Sequence, residues 1–448
     1  MTVKALMPVP NLNLVVPLAH KATAMRITDT AASEQARSSA VSTLIGASLR
    51  SGDVDSTTER SSRTSTTAIR TTTTRTTSSA PEPSADSDLF QQLVEAYLDC
   101  RRTKRNSASA LAFEAHLEHN LCELHDELIS GQYQPGRSIC FVITRPKPRE
   151  VWAAEFRDRI VHHLVYNKIA GRFLASFTAD SCACIPGRGT LYAAKRLEHQ
   201  VRSVTQNWAR PAYYLKCDLA NFFVLIKKPV LLQLLARRVH EPWWLNLTTT
   251  VLMHDPRFDV EVRGSRDLLK RVPPHKSLFN APSEQGLPIG NLSSQFFANV
   301  LLDVLDQQVK HKLKAPHYIR YVDDFVMVHP SSDWLNQAMA SVNELLPTLG
   351  LRLNPSKTIL QPVDRGIDFV GHVIKPWRRT TRPRTLRTAI KRIEAMPADQ
   401  VFETGNSYLG LIRQASHGHT DQARVAKALL ARGHCVKADL TKIYRKAA

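Results

Sequence analysis

The chain is poor in the features that would tie it to a membrane or to an oxidising compartment. No apolar run reaches the roughly 18 residues that a membrane-crossing helix needs. The short apolar stretch from Leu12 to Ala19 is broken by prolines and followed by no clear cleavage pattern, so no signal peptide is expected. The seven cysteines (Cys100, Cys122, Cys140, Cys182, Cys184, Cys217 and Cys435) are odd in number and scattered. That excludes a regular disulfide framework and fits free thiols in a reducing, cytoplasmic setting. Cys182 and Cys184 form a lone CxC without the second pair a zinc site would need. No internal repeat is present. Acidic residues are also short: 60 Lys and Arg face 40 Asp and Glu, a formal charge of +20. Such an imbalance points to a polyanionic partner, nucleic acid before a membrane surface.

The 448 residues are enough for two or three domains, and a hydrophobic share of 43% can build a substantial core. Residues 1–87 stand apart. Their stretch "STTERSSRTSTTAIRTTTTRTTSSAPEPSADS" is Ser/Thr-rich and nearly free of large apolar groups. It cannot bury enough surface to offset its ordering entropy, so a disordered extension is expected. A basic tether for RNA is the functional alternative, and a start codon assigned too far upstream would give the same pattern.

Order is expected from Ser87, an N-cap candidate ahead of Leu89, Leu93 and Tyr97 at helical spacing. A second helix is expected over Ser109 to Ile129, with Leu111, Leu117, Leu121, Leu124 and Leu128 inward. "SICFVITRPKPREVWA" reads as a strand and a proline-broken turn. "EFRDRIVHHLVYNKIAGRFLASF" reads as a helix on which His162 and His163 are surface or satisfied core residues. "AYYLKCDLANFF" is strand-like and ends in a polar turn, "KPVLLQLLARRV" is helical, and "SSQFFANVLLDVLDQQVKHKL" a long amphipathic helix. "HYIRYVDDFVMVH" reads as two strands joined at an acidic pair, "SDWLNQAMASVNELLPTLG" as a helix, and "GIDFVGHVI" as another strand. From Lys375 the chain is strongly basic and mostly helical, as a separate small domain would be.

Asp323 and Asp324 lie among Ile319, Tyr321, Val322, Phe325 and Val326. Two unpaired acids there would suffer desolvation and mutual repulsion, which a divalent metal removes. A third acid, Asp218, ends the apolar strand "YYLKCD". Carboxylates at two strand ends could clamp two Mg²⁺ ions, activate a 3′-hydroxyl and stabilise leaving pyrophosphate. The bland reading is a hairpin turn that happens to contain two acids. Phe223, five positions after Asp218, could press on a nucleotide sugar, whereas Phe222 reads as a core aromatic.

Taken in order, these segments resemble reverse transcriptases. "YVDDF" resembles their YxDD motif and "KCDLANFF" their first acidic motif. "RPKPREVWAAEFRDRIVHH" looks like the fingers segment, "LNPSKT" the lysine-bearing motif, and "IDFVGHVI" the primer-grip strand. The set spans roughly residues 135–375. The resemblance implies an α+β right-hand polymerase fold: a disordered extension over 1–87, fingers and palm over 88–374, and a short helical thumb over 375–448. It implies Asp218 and Asp323 as metal ligands, with Leu219 beside them and Asp324 as the adjacent acid. Phe223 becomes the gate that excludes a 2′-hydroxyl. Lys147 and Arg149 would meet the triphosphate, Lys357 would assist pyrophosphate departure, and Gly371 would let the primer approach. The solvated-loop reading of Lys147, Arg149 and Lys357, and a simple strand glycine at 371, stand beside these roles.

"GLPIGNLSSQFFAN" narrows the resemblance. Most relatives read QGxxxSP here, with the Gln side chain touching the incoming nucleotide. This chain has Ile289, Gly290 and, at the end of the motif, Gln295. The form IGxxxSQ resembles the reverse transcriptases of diversity-generating retroelements, as do "DSCACIPGRGT" and "PPHKSLFNAP". Those enzymes copy a template-repeat RNA with frequent errors opposite adenine, and the product replaces a variable region of a target gene. The resemblance implies an RNA template, a DNA or RNA primer, dNTPs and a small basic helical accessory protein. About 75 residues follow Gly371. They contain no HNH-like or zinc-like cluster and no RNase H domain, which weakens a group II intron assignment. A phage-defence or retron-type reverse transcriptase is the alternative of the same chemistry. A non-catalytic RNA-binding protein on a polymerase scaffold is the alternative of another class.

Overall fold

The computed structural model describes residues 85–102, 107–145 and 147–444. The extension expected over 1–87 lies outside them, apart from its last three residues, which already belong to the first helix. The elements run α1 (Ala85–Arg101), α2 (Ala108–Glu114), α3 (Leu117–Ile129), β1 (Ser138–Ile143), β2 (Arg149–Ala154) and α4 (Phe156–Leu174). They continue with β3 (Ser181–Cys182), α5 (Thr190–Val204), β4 (Tyr213–Asp218), α6 (Phe222–Leu225), α7 (Lys228–Ala236), α8 (Pro242–Met253), β5 (Val260–Arg263) and α9 (Arg266–Lys270). Then come α10 (Leu292–Gln307), β6 (Tyr318–Tyr321), β7 (Asp324–His329), α11 (Ser332–Leu345), β8 (Ile359–Pro362), β9 (Ile367–Phe369), β10 (His372–Lys375) and β11 (Arg378–Thr381). Three helices close the chain: α12 (Pro383–Ala395), α13 (Ala398–Ile412) and α14 (His419–Ala431). The architecture is α+β.

The central sheet has five strands in the order β3-β6-β7-β4-β8, antiparallel except for β3 beside β6. Side chains alternate across a strand, and here both faces are covered. Leu215, Cys217, Phe325, Met327 and Tyr318 enter one large core with α1, α3, α4, α7, α8, α10 and α11. Tyr214, Val326, Val328 and Ile319 enter a second core with α5 and the β9–β10 hairpin. A sheet buried on both faces leaves its strand ends as the places where polar groups meet solvent, and β4 and β7 end in acids there. A smaller sheet, β2-β1-β5, stands beside it. The last three helices bury Leu386, Ile393, Val401, Leu409, Ile412 and Leu429 in a core of their own. Among the described residues no helix is long and apolar enough to cross a membrane.

Four local expectations change. Ser109 to Ile129 is two helices, broken at Ala115–His116, and Leu111 is 54% exposed rather than inward. "REVWA" is not turn but a second strand, paired antiparallel with β1. Past the expected polar turn, Phe222 and Phe223 are helical rather than strand-like: the chain turns through Asn221 at φ 47° and enters α6. "GIDFVGHVI" is a hairpin, folded back at Val370 and Gly371, both at positive φ.

Candidate active site

β4 and β7 pair so that Asp218 faces Asp324 in register, and Asp323 sits in the turn between β6 and β7. The Leu219 amide donates to the Asp323 carbonyl at 3.2 Å, which ties the end of β4 to that turn. All three acids predicted from the sequence are therefore brought to one sheet end. Asp323 is pushed up to about 6 by burial first, then by the charges of Asp324 and Asp218, with Arg149 opposing. Asp324 is raised by burial, while Lys216 pulls it down and Asp218 raises it further.

Lys357 lies directly on this cluster. Its Nζ is 2.7 Å from both carboxylate oxygens of Asp218. The neighbouring Asn354 donates its Nδ2 to Asp218 Oδ2 at 3.2 Å and its backbone N–H to the Asp218 carbonyl at 2.8 Å. Asn354 was missed in the sequence, although it stands in the same "LNPSKT" turn. Among the described residues no three His, Cys, Asp or Glu side chains are gathered into a metal cage. The donor chemistry still suits a hard divalent cation: three carboxylate residues share one sheet end, Asp218 already holds the Lys357 ammonium, and Asp323 is raised by burial first and then by the charges of its acidic neighbours.

The loop from Gly286 to Asn291 is laced to two neighbours. On one side the Leu287 amide donates to the Phe223 carbonyl and the Gly286 amide to that of Ile226, each at 2.8 Å. On the other, the Trp152 amide donates to the Ile289 carbonyl at 2.7 Å, and the Ala154 amide to Asn291 Oδ1 at 3.1 Å. The loop thus joins α6, which carries Phe223, to β2, whose first residue is Arg149. Gly290 has φ +136°, and a Cβ there would lie 2.6 Å from the Trp152 carbonyl oxygen. Ile289 and Phe223 are half-buried, as is Gln295 on the first turn of α10.

Arg149 is exposed, and its positive charge opposes the upward push on Asp323. Lys147 is exposed on the turn just before β2. Gly371 sits at the tip of the β9–β10 hairpin at φ +92°, with nothing within 4 Å of a Cβ position. Its conformation, not crowding within the chain, calls for glycine. The hairpin is tied to the site by Lys216, whose Nζ donates to the Asp368 carbonyl at 2.8 Å.

Sequence reasoning also missed a buried network behind the turn: Arg320, Asp306, Asn299 and Ser181, all under 5% exposed. A signal was present, since Arg320 interrupts the apolar "YIRYV" and Asp306 the apolar face of α10.

A family model described as reverse transcriptase (RNA-dependent DNA polymerase) matches residues 146–374, just over half of the chain. Every candidate site residue falls in that span. Protein YkfC of Escherichia coli is 23% identical over 334 residues, covering 67% of this chain and 81% of that protein. Protein P of a Duck hepatitis B virus is 31% identical over 110 residues, covering 24% of this chain and 14% of the viral protein. A solved telomerase from Candida albicans, in complex with a fragment of telomeric RNA, is similar over 69% of this chain and 60% of that one. Its sequence identity is 14% and its TM-score 0.38.

Proposed function

The chain belongs to the reverse transcriptase family of RNA-directed DNA polymerases, and from that premise we propose that it is the error-prone enzyme of a diversity-generating retroelement. Residues 88–374 serve as fingers and palm, and 375–448 as a short thumb. Asp218, Asp323 and Asp324, with Leu219 beside them, would hold two Mg²⁺ ions that activate the primer 3′-hydroxyl and stabilise leaving pyrophosphate. The chain's own residues do the rest. Phe223, fixed through the loop at Leu287, presses on the sugar and rejects a 2′-hydroxyl. Arg149 and Lys147 meet the triphosphate, where the guanidinium suits bidentate phosphate contacts. Lys357 neutralises Asp218 in the resting chain; once released, its ammonium lies beside the acids, where pyrophosphate departs. Gly371 offers an open backbone to the primer. The substrates are an RNA template, a DNA or RNA primer and dNTPs, with a small basic helical accessory protein as partner.

The observation that carries the retroelement assignment is Ile289. Its carbonyl is held by β2 and Gly290 beside it packs closely against Trp152, so its backbone is fixed in the loop that links the elements bearing Arg149 and Phe223. An apolar group there offers no hydrogen bond to the nucleotide. One such bond is worth about 0.5–1.5 kcal/mol, at most roughly tenfold in discrimination. Ile289→Gln restores the amide. Copying an RNA template with this variant and sequencing the cDNA should show misincorporation opposite adenine reduced several-fold, with Asp323→Ala as the inactive control. An unchanged error spectrum would remove Ile289 as the cause, and wild-type copying without excess errors opposite adenine would remove the retroelement assignment.

A further inference from the structure

Behind the acidic turn lies a buried charge that the chemistry above does not use. Arg320, the third residue of β6, has no exposed surface. Asp306 of α10, equally buried, grips its guanidinium twice: Nε to Oδ1 at 2.8 Å and Nη2 to Oδ2 at 2.7 Å. Asp306 also accepts from the Tyr318 hydroxyl at 2.6 Å. The remaining N–H groups of Arg320 reach the acidic turn, a second residue of α10 and the Ser181 segment. Nη1 donates to the Val322 carbonyl at 3.1 Å and to Asn299 Oδ1 at 3.2 Å, and Nη2 donates to Ser181 Oγ at 2.6 Å.

Val322 immediately precedes Asp323. It is β-branched yet held at φ 56°, a conformation that persists only where its surroundings over-determine it. The Val322 carbonyl and the Asp323 amide share one planar peptide. Fixing that carbonyl fixes the plane from which the Asp323 side chain departs. Asn299, in turn, donates its Nδ2 to the Ala183 carbonyl at 3.1 Å, and Ala183 and Cys184 are also left-handed, at φ 77° and 53°. One guanidinium thus sits at the centre of two strained segments.

Neutralising Asp306 does not explain this arrangement. A lysine would supply the charge, and a buried ion pair adds little stability over apolar side chains of the same volume. Only the planar fork of arginine reaches Asp306, Asn299, Ser181 and the Val322 carbonyl together. We propose that Arg320 is the positioning residue of the acidic turn: through the Val322 carbonyl it aims Asp323, and through Asn299 and Ser181 it locks that turn to the Ser181–Cys184 segment. The proposal rests on Asp323 being a catalytic acid of the polymerase.

The test uses the full-length chain and two variants. Arg320→Met with Asp306→Leu removes both charges together, leaving neither alone in the core. Arg320→Lys keeps the ion pair but loses the fork. Thermal melting reports folding, and steady-state dNTP incorporation on an RNA-templated primer gives kcat and KM. Mn²⁺ binding to the polymerase alone, followed by paramagnetic resonance of free Mn²⁺, reads the acid cluster without turnover. In the folded double variant kcat should fall on the order of 10–100-fold, with KM for dNTP and primer affinity little changed. Mn²⁺ binding should weaken several-fold, and Arg320→Lys should fall between it and wild type. Folded variants with wild-type kcat and wild-type Mn²⁺ binding would overturn the positioning role. If the double variant does not fold, Arg320→Lys decides by the same two readouts. Wild-type protein that incorporates nothing would sink the polymerase assignment instead, and the Mn²⁺ measurement would still report on the turn.

Discussion

A methyl group added at Gly290 would stand 2.6 Å from the Trp152 carbonyl oxygen and 3.0 Å from Val151 Cγ1, in a residue already at φ +136°. Backbone and strand cannot yield there as a flexible side chain would. Gly290→Ala is therefore expected to cost about 1–3 kcal/mol in backbone strain alone and to lift the loop from β2. Because the Trp152 amide holds the neighbouring Ile289 carbonyl at 2.7 Å, lifting the loop also frees Ile289, and KM for dNTP should rise more than kcat falls. Denaturant melts with steady-state kinetics check this, and a variant of unchanged stability and KM would show that the loop does not depend on the contact. At this scale the acids, Ile289 and Gly290 were legible, because strand-end carboxylates and a Gly-bearing loop leave marks in a linear pattern. Asn354 was not, and Arg320 only as a charge breaking an apolar run. Their partners, Asp218 and Asp306, lie in other elements, and only the fold reveals that the groups meet.

Between elements, α4 and α10 are joined by a buried hydrogen bond of 2.6 Å linking His162 Nδ1 and Ser293 Oγ. Burial first, then the charges of Arg159, His163 and His254, push His162 down from 6.5 to about 3. His163 and His254 are also lowered, chiefly by burial. The unfolded chain takes up these protons below about pH 6.5, while the folded chain refuses the one on His162 until about pH 3. Stability is thus fully present above pH 6.5 and is lost as the pH falls from there towards 3, by up to about 1.4 kcal/mol per pH unit for each such histidine. His162→Gln should flatten the decline in unfolding free energy between pH 6.5 and 5 by about one proton. An identical slope would mean that His162 titrates normally. The helix under His162 was readable from its periodicity, but the sequence left surface and core open for it, and the fold places it in the core against Ser293. Periodicity also recovered α4, α7 and α10. It missed the one-turn helix α6 that follows the polar turn at Asn221, and it failed at Val370–Gly371, where backbone conformation rather than apolar spacing folds β9 onto β10.

For the molecule as a whole, charge is unevenly spread. Residues 375–448 carry sixteen Lys or Arg against five Asp or Glu, so more than half of the +20 excess lies in the last sixth of the chain. The basic composition was plain in the sequence, but which charges face outward depends on the helix. Leu386, Ala389 and Ile393 turn α12 inward onto α13 and α14, which leaves Arg384, Arg387 and Lys391 exposed on its other side. Three exposed cations on one helix, next to the hairpin that bears Gly371, suit the phosphates of a template–primer duplex. Each phosphate neutralised releases counterions, so affinity should fall steeply with salt, with a log–log slope of about −0.9 per contact on B-form DNA. Changing all three to Gln should make that slope shallower by about 2–3 and weaken binding alike for duplexes of different sequence. At saturating template–primer the kcat should stay near wild type, because none of the three reaches the acid cluster. Titrations at several salt concentrations measure the slope. If it does not change, the phosphates are held elsewhere, and α12 owes its charge to solubility.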